Sequence, residues 1–149
     1  MGSFIGSYSI NMDAKGRIAI PTRAREALSA PSDGRIVITA NVMDRCLLIY
    51  TEAEWLELLP KLQALPNLKS AARRLQRIVM GYATEMELDP SGRVLLAPTL
   101  REYAKLEKKL ILSGQGNKFE LWSDELWQEY LQKTGDMDEL TAAMEDLSL

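Results

Sequence analysis

The sequence predicts an α+β fold with a mostly β core, built from one unit used twice. The main observation is a repeat. Asp13-Ala-Lys-Gly-Arg-Ile-Ala-Ile-Pro-Thr-Arg-Ala-Arg-Glu-Ala-Leu28 recurs 76 positions later as Asp89-Pro-Ser-Gly-Arg-Val-Leu-Leu-Ala-Pro-Thr-Leu-Arg-Glu-Tyr-Ala104. Asp, Gly, Arg and a later Arg-Glu pair coincide, and apolar residues fall together at Ile18/Val94 and Ile20/Leu96. The match continues after a shift of four, where Leu47 to Trp55 falls on Phe119 to Trp127. Each copy also presents the same order of local patterns, β–turn–β–α–β–β–α. Two copies of so long a period indicate a duplicated unit, because a solenoid needs three or more repeats to bury its core. At 149 residues, each half alone is of marginal size for burial, so the halves are expected to share one core.

The elements follow in order. Residues 5–12 read as an extended opening segment. Asp13-Ala-Lys-Gly16 has turn chemistry, since Asp bonds its own backbone and Gly tolerates positive φ. Arg17 to Ile20 is a strand rich in β-formers, ended by Pro21. Thr22 to Ser29 is a short helix with Thr22 as expected N-cap. Asp33-Gly34 is a turn, and 36–39 and 46–50 are strands. Thr51-Glu52-Ala53-Glu54 is a capping box, and its helix is expected to stop near Pro60. Residues 62–68 read as a connection, and Ser70 is expected to cap a helix over 71–80. The second copy then gives a strand from about 85, the Asp89 turn, a strand, a helix near 99–105, strands at 109–112 and 118–122 around Gly114-Gln115-Gly116-Asn117, and a helix capped by Ser123. Gly135 ends that helix. The predicted organisation is a first unit at 5–60, a connecting segment with a helix at 61–84, a second unit at 85–133 and an acidic tail at 134–149. The tail is either frayed or an amphipathic helix carrying Leu140, Met144 and Leu147.

Composition narrows the function. No apolar run approaches the roughly 20 residues of a membrane span, and the start lacks a signal-peptide pattern, so no membrane partner is expected. The single Cys46 excludes an internal disulfide, fits a reducing cytoplasm and reads as a small buried hydrophobe. The chain has no histidine, which excludes Ser-His-Asp and Cys-His catalysis and His-based metal sites, and one cysteine makes no metal cluster. There is no P-loop, and Gly114-Gln115-Gly116 lacks the third glycine of a nucleotide fingerprint. Glu85 and Glu87 share a strand face but have no supporting base. No catalytic group, cofactor, metal or small-molecule substrate is expected. The net charge is −3, yet 134–149 holds five acids and no base, leaving the other 133 residues with 18 bases and 16 acids. A local basic face is therefore compatible with an acidic chain.

The turns carry the candidate function. Asp13 and Asp89 cap them, Gly16 and Gly92 make them, and Arg17 and Arg93 either pin the hairpins by pairing with the aspartates or project to phosphate and to guanine edges. Lys15 adds a second base to the first turn. The Arg73, Arg74 and Arg77 group is a solvated helix face or a further phosphate or subunit contact. Trp55 and Trp127 hold equivalent positions and read as packing.

The Asp-x-x-Gly-Arg turn followed by a β-rich run, Pro and Arg-Glu resembles the MraZ family of bacterial transcriptional regulators, within the AbrB-like or swapped-hairpin class. The matching residues are Asp13 to Arg17 with Pro21 and Arg25-Glu26, Asp89 to Arg93 with Leu100-Arg101-Glu102-Tyr103, and Gly114 to Trp122. The resemblance spans roughly residues 8–131. It implies two swapped-hairpin units forming a β-barrel-like core flanked by helices. It implies a ring-shaped homo-oligomer and, as partner, double-stranded promoter DNA with repeated elements, in the division and cell-wall gene cluster. It implies a cytoplasmic, nucleoid-associated protein. On it, Lys15 and Arg17 are the main DNA contacts and Arg93 is their equivalent, supported by Asp13, Gly16, Asp89 and Gly92. Two departures stand out: Met1-Gly-Ser-Phe-Ile differs from the family's usual start, and Ser91 replaces the base found at Lys15. The alternative is an AbrB-like antitoxin or protein-partner module in which the turns are structural.

Overall fold

A computed structural model describes residues 3–133 and 135–148. Met1 and Gly2 of the unusual start, and Thr134 and Leu149 of the tail, lie outside the described residues. The first copy forms β1 (Ser7–Asn11), β2 (Arg17–Ala19), α1 (Thr22–Ser29), β3 (Arg35–Ala40), β4 (Leu47–Thr51) and α2 (Glu52–Gln63). Helix α3 (Ser70–Tyr82) connects it to the second copy. That copy forms β5 (Thr84–Glu87), β6 (Arg93–Leu95), α4 (Pro98–Tyr103), β7 (Lys109–Gly114), β8 (Phe119–Ser123) and α5 (Asp124–Gln132), and α6 (Met137–Met144) lies in the tail. The fold is α+β with a mostly β core.

The strands are exchanged between the copies. One antiparallel sheet runs β1-β7-β8-β4-β3-β5, and β2 pairs with β6 in a separate ribbon. The first strand of each copy thus joins the hairpin of the other: β1 pairs with β7, and β5 with β3. The order reads the same from either end when the copies are swapped, with β4 and β8 meeting at its centre. Among the described residues no pairing closes the sheet into a barrel, and the ribbon lies across its face.

Alternation of side chains explains this arrangement. In β3, β4, β7 and β8, successive side chains point to opposite faces of the sheet. Ile36, Ile38, Leu47, Ile49, Leu110, Leu112, Phe119 and Leu121 face one side. There they meet Ile18 and Val94 of the ribbon, Ile20 and Leu96 beyond it, Leu28 of α1 and Leu100 of α4. Burying each such side chain stabilises the fold by about 2 kcal/mol. Val37, Leu48 and Tyr50 face the other side under Trp55 and Leu62 of α2 and Val79 of α3. Ile111 and Trp122 do the same beside Cys46, under Leu126 and Trp127 of α5. The central strands are apolar on both faces because both faces are covered. Thr39, buried among them, donates its hydroxyl to the Val79 carbonyl at 2.6 Å. Phe4 also belongs to the core, stacked on Phe119 with ring centroids 4.6 Å apart.

Three expectations are corrected. Helix α2 passes through Pro60 and ends at Gln63. Proline removes one helical N–H and crowds the preceding turn, but burial of Leu62 together with the bond from Gln76 Nε2 to the Leu62 carbonyl (2.8 Å) holds the last turn. Thr22 is the first residue of α1 and Pro21 its cap. The Pro21 carbonyl accepts from Arg25 N, and the Thr22 hydroxyl accepts from Arg25 Nη2 instead of capping. Ser70 likewise stands inside α3, behind Lys69. Thr51 and Ser123 do cap, accepting from Glu54 N at 3.2 Å and Leu126 N at 3.0 Å. The tail is helical from Met137, capped by Asp136, with its apolar residues exposed.

Candidate nucleic-acid interface

Each turn is held by its own aspartate. Asp13 Oδ1 accepts from the backbone N–H groups of Lys15 and Arg17, both at 2.9 Å, and Oδ2 accepts from Arg17 Nε at 2.7 Å. Gly16 N closes back on the Asp13 carbonyl at 3.0 Å. The second turn repeats this: Asp89 Oδ1 accepts from Ser91 N at 2.9 Å and Arg93 N at 2.8 Å, and Oδ2 from Arg93 Nε at 3.3 Å. The Arg17 backbone N–H, then its side chain, holds the Asp13 carboxyl below its ordinary value. The Arg93 backbone N–H does the same for Asp89. The first turn holds its guanidinium more closely. Its carboxylate–guanidinium contact is shorter, and so is its Asp N to Arg carbonyl bond, at 2.9 Å against 3.4 Å.

The aspartates use only Nε of each arginine. Among the described residues the Nη groups of Arg17 and Arg93 make no hydrogen bond, and about half of each side chain is exposed (48% and 57%). The pinning and projecting readings of the arginine are therefore compatible in one residue: Nε anchors and the terminal nitrogens stay available. Lys15 is exposed, and its side chain takes no part in the turn.

The ribbon brings the two arginines together. Arg17 stands opposite Leu95, and Arg93 opposite Ala19. Arg17 and Arg93 are thus diagonal neighbours on the solvent face, at a spacing of about 7–8 Å between backbones, while Ile18 and Val94 fill the buried face. Ile20 N donates to the Gly92 carbonyl at 2.8 Å and Leu96 N to the Gly16 carbonyl at 2.9 Å, which locks the turns to the opposite ends of the ribbon. Arg17 and Arg93 line one shallow cleft with Asp13 and Lys108.

Both turn glycines are required. Gly16 has φ +92° and Gly92 φ +74°, where L side chains are strained. Each also lies against an arginine of the other copy. A Cβ on Gly16 would sit 2.7 Å from Arg101 Cζ, and one on Gly92 would strike the Arg25 side chain. Arg25 and Arg101 are half-buried, and Arg101 Nε donates to the Leu96 carbonyl at 3.1 Å. Sequence reading missed this support, although Arg25 and Arg101 coincide in the repeat. It also missed Lys108, whose only signal is the Lys108-Lys109 pair where β7 begins. Arg73, Arg74 and Arg77 lie elsewhere, on α3 and across the sheet from the ribbon, with Arg73 Nη1 bound to the Asn67 carbonyl at 2.7 Å. Cys46 is buried, which pushes its thiol up to about 12. Among the described residues no group of metal-ligating side chains is present, and no helix is long and apolar enough to cross a membrane.

Comparison with known families agrees with the duplicated architecture. The profile of the family described as "MraZ protein, putative antitoxin-like" matches residues 3–78 and again 79–148. The chain belongs to the MraZ family. It is 56% identical over 146 residues to the transcriptional regulator MraZ of Saccharophagus degradans, covering 98% of this chain and 99% of that protein. It is 55% identical to the transcriptional regulator MraZ of Marinobacter nauticus over the full length of both. The one from Halorhodospira halophila is 46% identical over 98% of this chain and 99% of that protein. These relatives are named transcriptional regulators.

Proposed function

We propose that this chain is a sequence-specific DNA-binding regulator that reads repeated promoter elements with its two Asp-x-x-Gly-Arg turns. The single observation behind this reading is the exposed ribbon face, where Arg17 and Arg93 hold Nη groups without hydrogen-bond partners among the described residues, on rigid, equivalent turns. A guanidinium so oriented pairs with a phosphate or with guanine N7 and O6. Lys15 gives the first turn a second base where the other has Ser91, so the first turn carries the larger share. Residues 5–60 and 85–133 act as the two DNA-facing units, joined by 61–84 and followed by the 134–149 tail. In keeping with the family resemblance, the target is the promoter of the division and cell-wall gene cluster, and the protein works in the cytoplasm at the nucleoid. Few bases line the ribbon, so affinity comes from several copies in a ring-shaped homo-oligomer engaging successive repeats.

The turn hydrogen bonds favour one other reading: the Asp–Arg pairs are purely structural and the chain is an antitoxin-like partner of another protein. A gel shift on the repeat-bearing promoter separates the two. Arg17→Ala is expected to lose most binding and Arg93→Ala less, with wild-type affinity falling on dilution below the assembly concentration. Equal binding by all three proteins would leave the turns structural. Full-strength binding by a protein held monomeric would reject the ring as the source of affinity.

A further inference from the structure

The two turns are not equally furnished, and the difference comes from the opposite copy. Met12, just before the first turn, donates its N–H to the Lys108 carbonyl at 2.8 Å. The equivalent bond at the second turn runs from Leu88 N to the Gly34 carbonyl at 2.9 Å. Lys108 and Gly34 therefore hold the same place in the two copies, each immediately before the strand that accepts the exchanged partner. One carries an ammonium group and the other no side chain. Lys108 is exposed, and its side chain makes no hydrogen bond among the described residues. It lines the same cleft as Arg17, Arg93 and Asp13. Arg93 is paired with Asp89, and Asp13, the carboxylate that lines the cleft, is already committed: Oδ1 takes two backbone N–H groups and Oδ2 takes Arg17 Nε, which leaves Lys108 without a carboxylate partner among the described residues.

We infer that this cleft is a phosphate site, seating one backbone phosphate of the DNA between Arg17 and Lys108. The site exists only at the first turn, because Gly34 leaves the second without its counterpart. The inference rests on the reading of the ribbon face as the DNA-binding surface. Arg17 supplies planar Nη donors, and Lys108 supplies a mobile point charge suited to a phosphate oxygen. The contact carries no base information. It fixes the register in which the first turn meets the groove.

The test measures duplex affinity by fluorescence anisotropy across a salt series, with the full chain and four variants: Lys108→Ala, Lys108→Arg, Arg17→Ala and, as control, Lys61→Ala on the exposed face of α2. Lys108→Ala is expected to weaken binding about fivefold and to lower the salt slope by about one per bound chain, equally on specific and scrambled duplexes. Lys108→Arg is expected to restore both, and Lys61→Ala to change neither. Thermal melts should show every lysine variant folded as wild type, since these side chains are exposed. If Arg17→Ala abolishes binding while Lys108→Ala matches wild type in affinity and slope, the phosphate site is overturned and the turn reading stands. If neither variant changes binding, both fall.

Discussion

At the scale of single residues, the turns combine rigidity with available charge through a division of labour on one guanidinium. Arg17 gives Nε to Asp13, and among the described residues its Nη groups make no hydrogen bond. Two consequences can be measured. The Asp13 carboxyl is held below its ordinary value chiefly by the Arg17 backbone N–H. A group with a depressed folded value adds stability that is complete above the unfolded carboxylate value and lost as pH falls through the folded one. The first turn should therefore stay ordered down to mildly acid pH and loosen only below the ordinary carboxylate range. Amide exchange at Lys15 and Arg17 would show it, and Asp13→Asn should remove that pH dependence; an unchanged pH profile in Asp13→Asn would refute the assignment. Gly16 is the second case. Alanine there meets both a positive φ and Arg101, so Gly16→Ala is expected to lower stability by roughly 1–3 kcal/mol in denaturant unfolding. Part of that loss should return in an Arg101→Ala background, because the steric component disappears with the guanidinium. No recovery would show that backbone strain alone sets the cost.

At the scale of elements, legibility followed how local the determining physics is. The turns, strands and two caps were visible because each depends on residues within four positions: Asp13 bonds Lys15 and Arg17, Thr51 bonds Glu54, and Ser123 bonds Leu126. The end of α2 was not, because Pro60 is outweighed by Leu62 packing and by Gln76, residues in contact only through the fold. Thr22 and Ser70 carry the hydroxyl of a cap but stand inside their helices for a related reason, since chain direction before each helix decides which residue stands at the cap. In the candidate site, Lys15, Arg17 and Arg93 are visible in the repeat, whereas Lys108 reaches the same cleft only through pairing of β1 with β7. The Thr51 and Ser123 caps should also differ in effect. Helix α2 is backed by α3 and buries Trp55 and Leu62, whereas α5 buries none of its own residues. Thr51→Ala and Ser123→Ala should each cost about 1 kcal/mol of helix stability. The first should lower the global melting temperature, and the second should appear mainly as faster amide exchange confined to α5. Equal global losses would mean that α5 is as firmly coupled to the core as α2.

At the scale of the whole molecule, the repeat conceals an interlock. Two similar sequences suggest two adjacent modules, but nearly every pairing that completes one copy comes from the other. Removing residues 83–148 would leave β1 without β7, β2 without β6, β3 without β5 and β4 without β8, so that among the described strands β3 and β4 alone keep a ladder, beside the single Met12–Ile18 bridge. Ile18, Ile20 and Leu28 would lose the Val94, Leu96 and Leu100 that close their side of the core. What remains is a hairpin covered on one face by α2 and α3, while its Ile36, Ile38, Leu47 and Ile49 face loses the partners that close it, in a chain of marginal size for burial. A fragment of residues 3–82 is therefore expected to be unfolded as a monomer, or to fold only as a pair of copies in which each supplies the strands the other lacks. Mixing it with a fragment of residues 83–148 should restore a single cooperative unfolding transition. Circular dichroism with sedimentation velocity, run on each fragment and on the mixture, distinguishes these states. A folded monomer of either fragment would show that the exchanged strands are dispensable. The interlock also bears on function, because it fixes the two arginine turns on one ribbon: a copy that could fold alone would be free to reorient its turn, and this one is not.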